Sequence, residues 1–158
     1  ALEEALADPL ASGCISFQNG RIGINGSVLF ALNADRLQPE GRALLESLVE
    51  PLQTYLAQHD ELLMVSGFTD DLPIQQGNPR YADNWGLSAQ RALTVTRTLI
   101  DQGLPEARIF AAAFGDNQPV TPNVDDAARA KNRRVEITTV PRADATAGEP
   151  EQTRQRDE

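Results

Sequence analysis

The chain has 158 residues, of which 41% are hydrophobic and 23% charged, and this length and usage are those of one globular domain with a modest core. Its formal net charge of −9 argues against general nucleic-acid binding, which needs a basic surface. A neutral or zwitterionic ligand fits such a chain better than a polyanion does. The single cysteine, Cys14, excludes an intrachain disulfide, and no apolar run approaches the roughly 20 residues of a membrane span.

The first thirty residues predict a short helical segment followed by hairpins. Leucines at helical spacing in residues 1–13 indicate a short helix or the remnant of a linker. Because the chain begins with Ala rather than Met, we expect an upstream segment, including any membrane anchor, to lie outside it. The pairs Asn19-Gly20 and Asn25-Gly26 are hairpin signals. They predict short strands at about 14–18, 21–25 and 27–31.

Helical and strand patterns then alternate. A helix is predicted to start at Pro39, with a kink or a break at Pro51. The patterns that follow predict, in order, a central strand at 61–69, a helix at 85–103, a strand at 107–115, a short helix near 125–131 and a strand at 133–141. The polar residues of 142–158 predict a disordered tail. The fold class expected is α/β, a two-layer α+β sandwich of βαβαβ order with its helices packed on one mixed sheet, over residues 14–141.

The longest polar stretch, "SGFTDDLPIQQGNPRYADNWGLSAQRA" at 66–92, places two aspartates side by side where the buried strand ends. Asp70 ends that strand, and Arg91 lies in the first turns of the next helix. The only tryptophan, Trp85, lies between them, and we expect it to pack in the loop rather than stack on a sugar. A planar guanidinium donates two parallel hydrogen bonds to a carboxylate, which lysine cannot match.

Four motifs carry a resemblance to a known family. They are "GFTDD" (67–71), "NWGLSAQRA" (84–92), "FG…QPVTPN" (114–123) and "NRRVEI" (132–137). Together they resemble the OmpA-like peptidoglycan-binding domain family over about residues 28 to 140. The MotB-type branch is the more similar one, because its TDD-x-P-I and N-W-x-L-S segments are both present. Phe68 stands where many members have His, at a position that varies in the family.

The resemblance implies non-catalytic binding of cell-wall peptidoglycan through the meso-diaminopimelate of the stem peptide. It implies a wall anchor for a membrane complex, as in a MotB-like flagellar stator subunit, working as a homodimer beside a partner membrane subunit. The location implied is the periplasm of a Gram-negative bacterium, with a tether to the inner membrane rather than the outer one. It implies no cofactor and no metal.

Site residues are carried over by motif position. Asp70 would bind the ligand's ammonium and Arg91 its carboxylate, with Thr69 beside them, while Asp71 would brace the loop. The remaining candidates are expected to line or support the same pocket: Asn132 and Arg133 at the last strand, and Leu87 and Ser88 at the helix start. Ser88 could also cap that helix. Phe30 and Asn33 are weaker candidates.

Two other classes of function stay open. A peptidoglycan hydrolase could use Asp70 and Asp71 as a carboxylate pair, but adjacent strand residues point opposite ways, and such a pair must flank one bond. The only histidine, His59, has no acidic or thiol partner at a useful spacing, and a metal site of Asp70, Asp71 and Asp83 lacks ligand spacing. A protein-interaction or dimerisation module is compatible with the acidic surface.

Overall fold

The computed structural model describes residues 2–31, 34–74, 77–78 and 80–142. A short 3₁₀ turn at Glu106–Arg108 precedes the fourth strand. The helices and strands of the described residues are α1 (Leu2–Ala5), α2 (Ala7–Ala11), β1 (Ile15–Gln18), β2 (Arg21–Asn25), α3 (Gly26–Leu29), α4 (Pro39–Gln58), β3 (Glu61–Phe68), α5 (Asn84–Asp101), β4 (Ile109–Gly115), α6 (Asp126–Asn132) and β5 (Arg134–Pro141).

One mixed sheet carries the fold, with strand order β1-β2-β5-β3-β4. β3 and β4 are parallel and are connected through α5, while the other pairs are antiparallel. Alternate residues divide the sheet's faces: Leu63 and Val65 join the core with α4 and α5, and Met64 and Ser66 line the opposite face. The predicted α/β class, with helices on one mixed sheet and β3 at its centre, is confirmed.

The two Asn-Gly pairs have different structures. Asn19 and Gly20 both have positive φ, 54° and 76°, and connect β1 to β2 as the predicted hairpin. The second pair does not form a hairpin, and the strand predicted at 27–31 is wrong. Asn25 instead caps α3 by accepting a 2.8 Å hydrogen bond from the Ser27 N–H. The capped turn leads the chain away from the sheet.

Helix α4 runs without a break through Pro51, so the alternative of two separate helices is wrong. Pro39 stands at its first turn, as predicted. Leu48, Leu52 and Leu56, on both sides of the proline, are buried against the core. Their burial holds the two halves in one helix despite the hydrogen bond that the proline removes.

Residues at both ends of the described chain also pack or pair. Leu2 and Leu6, in and beside the short helices α1 and α2, belong to the hydrophobic core. Arg142, after β5, donates a 2.8 Å hydrogen bond from Nε to Asp60 Oδ1. The tail predicted beyond it lies outside the described residues.

The helical layer approaches the sheet closely at Gly67 of β3. A Cβ at this position would lie 2.2 Å from the carbonyl oxygen of Ser88 in α5. Only glycine permits two backbones to come this close. This contact sets α5 against the end of β3, and the polar stretch connects the same two elements.

Gly67→Ala is expected to lower the free energy of unfolding by at least about 3 kcal/mol, because the new methyl group overlaps backbone that cannot move aside. Urea unfolding followed by circular dichroism measures the change. Gly86→Ala is the matched control, since a Cβ there would meet only the Asp83 Oδ1 atom at 3.8 Å, and alanine favours a helix by up to about 1 kcal/mol. Equal stability of the two variants would contradict the close packing of β3 on α5.

Candidate functional site

A pocket of about 170 Å³ opens where β3 ends and α5 begins. The loop after β3 forms one wall, the first turns of α5 a second, and the residue between α6 and β5 a third. The residues that line it are Thr69, Asp70, Leu72, Pro73, Ile74, Asn84, Leu87, Arg91 and Arg133. The sequence prediction named five of these nine: Thr69, Asp70, Leu87, Arg91 and Arg133.

Asp70 is the buried anion of the pocket, with 7% of its surface exposed. Its Oδ2 accepts a 2.6 Å hydrogen bond from Arg133 Nη1, and its Oδ1 accepts one of 3.0 Å from the Leu72 N–H. A buried carboxylate is stable only when it is paired and hydrogen-bonded in this way. The pair also ties the loop after β3 to the start of β5.

Arg91 is the buried cation of the pocket and is 5% exposed. Its Nε donates to the Ala34 carbonyl at 2.7 Å and its Nη2 to the Ala31 carbonyl at 3.3 Å. The guanidinium carbon lies 5.0 Å from the ring centre of Phe30. In the part of the chain that the structure describes, no carboxylate forms an ion pair with it.

Burial lowers the pKa of the Arg91 guanidinium, and the positive charge of Arg133 acts in the same direction. The ionised form of Tyr81 and the carboxylates of Asp70 and Asp35 oppose that shift. Arginine nevertheless stays protonated in proteins. Arg91 is therefore a buried positive charge whose hydrogen-bond acceptors are neutral carbonyl groups, an arrangement that favours binding of an anion.

Sequence reasoning missed a second group of residues beside Arg91. Asp35 is buried and accepts a 2.9 Å hydrogen bond from Arg80 Nη2, which ties the segment before α4 to the loop before α5. Tyr81 is also buried, and its burial, together with the nearby Asp35 carboxylate, raises the pKa of the Tyr81 hydroxyl. These residues carried no motif, because the contact joins segments 45 positions apart.

The adjacent aspartates point to two different arginines. Asp71 Oδ1 accepts a 3.0 Å hydrogen bond from Arg129 Nε, and this bond raises the pKa of Arg129. Arg129 lies in α6, four residues before Arg133, the partner of Asp70. Each of the two neighbouring negative charges is therefore paired, and Asp71 stands outside the pocket lining.

Two predicted pocket residues, Asn132 and Ser88, are fully buried and do not line the pocket. The Asn132 amide accepts from the Val120 N–H at 2.8 Å and donates to the Thr121 carbonyl at 2.9 Å, which holds the loop before α6. The Ser88 hydroxyl donates to the Trp85 carbonyl and accepts from the Gly115 N–H. The side-chain cap of α5 is Asp83, so the capping role considered for Ser88 is wrong.

Other candidates lie in or near the pocket. Thr69 lines it, and its N–H donates to the Gly115 carbonyl at 2.8 Å. Phe30 does not line it but lies under the Arg91 guanidinium. Asn33 lies outside the described residues. Asn84, which was missed although it stands in a quoted motif, donates from Nδ2 to the carbonyls of Asp70 and Leu72 and so braces the pocket loop.

The described residues contain no group of three or more His, Cys, Asp or Glu side chains that could hold a metal ion. Within the same ranges, no helix is both long and apolar enough to cross a membrane. The fold and the pocket thus define a two-layer α/β domain that presents a small, charged binding pocket at the carboxyl end of its central strand.

Comparison with known proteins identifies the family. Residues 29–133 match the profile of the OmpA family, and the chain belongs to this family. It is 38% identical to Motility protein B of Bacillus subtilis over 88 residues, 55% of this chain and 33% of that protein. It is 36% identical to Outer membrane protein A of Salmonella typhi over 129 residues, 76% of this chain and 35% of that protein. The chain thus spans about a third of each relative.

Solved structures share the fold. The cell wall anchor of the T6SS from Pseudomonas aeruginosa has a TM-score of 0.77 at 30% identity, over 89% of this chain and 96% of that one. A putative MotB like protein from Desulfovibrio vulgaris has a TM-score of 0.74 at 32% identity, over 89% of this chain and 90% of that one. The periplasmic domain of Helicobacter pylori MotB has a TM-score of 0.71 at 25% identity, over 83% of this chain and 80% of that one. The predicted OmpA-like domain of MotB type is confirmed.

Asn132→Ala is expected to lower the free energy of unfolding by about 2–3 kcal/mol, because it removes the hydrogen bonds that the buried Asn132 amide makes to the backbone of Val120 and Thr121. Amide hydrogen exchange at Val120 and Thr121 should become faster at the same time. Asn117→Ala is the control, since that side chain is exposed and its loss should change stability by less than about 1 kcal/mol. Unchanged exchange in the Asn132 variant would mean that its amide does not hold the loop.

Proposed function

We propose that this domain binds cell-wall peptidoglycan without catalysis, through the meso-diaminopimelate of the stem peptide, and anchors a membrane protein complex to the wall. One observation carries the proposal. The buried Arg91 has no carboxylate partner among the described residues, and it lines the same pocket as the buried Asp70. The site is thus prepared for a ligand that brings its own carboxylate and an ammonium group.

The charges of the pocket favour such a ligand. Its lining carries two arginines, Arg91 and Arg133, and one aspartate, Asp70, inside a chain whose net charge is −9. The free end of diaminopimelate bears an ammonium and a carboxylate on one carbon. The carboxylate would accept hydrogen bonds from Arg91, and the ammonium would share the Asp70 carboxylate with Arg133.

The size of the pocket supports a small recognised group. Its volume of about 170 Å³ is below the roughly 300–1,000 Å³ usual for drug-sized ligands. It suits the zwitterionic end of one amino acid rather than a whole muropeptide. The rest of the polymer would then lie over the rim.

The affinity expected of one site is modest. Each charged hydrogen bond contributes about 1.5–3 kcal/mol, and part of that is lost to the cost of immobilising the ligand. A wall polymer offers many stem peptides, so two linked copies of the domain would bind far more tightly than one. This reasoning favours the homodimer that the family resemblance implies.

The relatives support the cellular setting that we propose. Similar structures are described as a cell wall anchor and as periplasmic MotB domains. We place residues 14–141 in the periplasm of a Gram-negative bacterium as the wall-binding unit of a MotB-like stator subunit. Residues 1–13 would follow an upstream segment that holds the inner membrane and contacts a partner membrane subunit.

Three alternatives have different support. The similarity to a secretion-system anchor, over 96% of that chain, favours a wall anchor in a complex other than a flagellar motor. A hydrolase that uses Asp70 and Asp71 has little support, because arginines engage both carboxylates. A pure interaction module would not need a buried Arg91 that has no carboxylate partner in the described part of the chain.

Wild-type protein is expected to pellet with purified sacculi, while Asp70→Ala and Arg91→Ala stay in the supernatant, because each loses one charged contact and leaves the corresponding charge of the ligand unpaired. Arg91→Lys should also lose most binding, since lysine lacks the planar fork. Co-sedimentation measures the bound fraction, and thermal unfolding confirms that each variant is folded.

Two exposed residues of α5 supply matched controls. Arg97→Ala and Asp101→Ala remove one positive and one negative charge from exposed positions of α5, away from the pocket, and should pellet as the wild type does. Equal pelleting of the Asp70, Arg91 and control variants would refute the site. Release of soluble muropeptides by the wild type would support the hydrolase instead.

A further inference from the structure

Trp85 is the only tryptophan of the chain and is 53% exposed. It lies in the first turn of α5, directly after Asn84, which lines the pocket. The packing that was expected for it accounts for only part of its surface. A large aromatic residue left this open beside a binding pocket is the kind of residue that dominates contact energies when a ligand covers it.

The position of the indole is defined by its contact with β4. A Cβ built on Gly115 would lie 3.5 Å from Cδ2 and 3.6 Å from Cε3 of Trp85, and Gly115 itself has a φ of +60°. The backbone of Trp85 is held as well, because its carbonyl accepts a 3.1 Å hydrogen bond from the Ser88 hydroxyl. The ring is therefore supported on one side by the end of β4 and open on the other.

The surroundings of the indole are polar. Asp116 and Asn117 follow Gly115, and both are exposed. The Asn117 Nδ2 atom would lie 3.5 Å from the same Gly115 Cβ, on the Trp85 side of the turn. On the pocket side, the half-exposed Leu72 is tied to the neighbouring Asn84 by a 3.1 Å hydrogen bond to its carbonyl.

An aromatic ring with amide and carboxylate groups beside it matches the chemistry of a sugar. A pyranose ring presents C–H groups on its face, which are attracted to the negative face of an indole. Its hydroxyl and acetamido groups can exchange hydrogen bonds with neighbouring polar side chains. The glycan strand of peptidoglycan carries such amino sugars next to each stem peptide.

We infer that Trp85 forms a saccharide subsite, which stacks an amino sugar of the glycan strand whose stem peptide occupies the pocket at Asp70 and Arg91. This inference rests on the proposed function. It assigns the sugar contact to the α5–β4 side of the rim, and it explains why the pocket itself is small. Asp116 and Asn117 are the polar neighbours available to the sugar's substituents.

Because no other tryptophan contributes, the emission of the wild-type chain reports on Trp85 alone. Three soluble probes separate the subsites: the diaminopimelate stem peptide, the disaccharide without peptide, and the disaccharide-peptide. The disaccharide-peptide should bind more tightly than the stem peptide and shift the emission, while the stem peptide should leave the emission nearly unchanged. Trp85→Ala should weaken binding of the disaccharide-peptide about fivefold without weakening that of the stem peptide.

Two further variants serve as controls. Trp85→Tyr keeps an aromatic face and should retain most of the affinity that Trp85→Ala loses. Phe110→Ala removes another exposed aromatic residue, at the opposite end of β4, and should bind all three probes as the wild type does. Calorimetry gives the affinities, and circular dichroism confirms that each variant is folded.

The inference is overturned if Trp85→Ala binds the disaccharide-peptide as the wild type does, or if the bound disaccharide-peptide leaves the emission unchanged. Loss of self-association in that variant, with sugar binding intact, would overturn it in favour of a second copy of the chain. If the wild type fails to bind the stem peptide but the disaccharide still shifts the emission, the proposed function fails and the saccharide subsite stands. Binding of no probe overturns both.

Discussion

The contact between the backbones of β3 and α5 at Gly67 and Ser88 positions two of the three charged groups of the pocket, Asp70 and Arg91. It sets the end of β3, with Asp70, beside the first turns of α5, with Arg91. Neither side chain could be placed by its own element alone, because the distance between strand and helix at this end is set by this close approach. The Ser88 hydroxyl strengthens the junction by accepting a hydrogen bond from the Gly115 N–H in β4.

The electrostatics of the site follow from how its charges are paired. Asp70 and Asp71 are held by arginines four residues apart, so the two like charges stabilise one loop rather than repel each other destructively. Arg91 differs, because among the described residues its guanidinium donates hydrogen bonds to neutral carbonyls and lies over an aromatic ring, with no ion pair to a carboxylate. A folded domain tolerates such a buried charge most readily where a bound ligand supplies the opposite charge.

Most of the fold was predictable from local patterns. Helical spacing, alternation and proline placement identified the two long helices and the strands β3, β4 and β5 near their observed bounds. The failures have one cause, which is that a local signal has more than one use. An Asn-Gly pair can turn a hairpin or cap a helix, and Asn25 caps because the Gly26 N–H donates to the Arg133 carbonyl from a distant segment.

Sequence by itself determined the fold class, the OmpA-like family, and the presence of Asp70 and Arg91 in one pocket, because these depend on periodicity and on motifs that are local in the chain. Only the tertiary structure decided which residues of those motifs face the pocket. Asn132 and Ser88 turn into the interior to satisfy backbone groups, while Asn84 reaches the pocket loop. Such side-chain orientations depend on buried hydrogen bonds between segments far apart in sequence, and no local pattern specifies them.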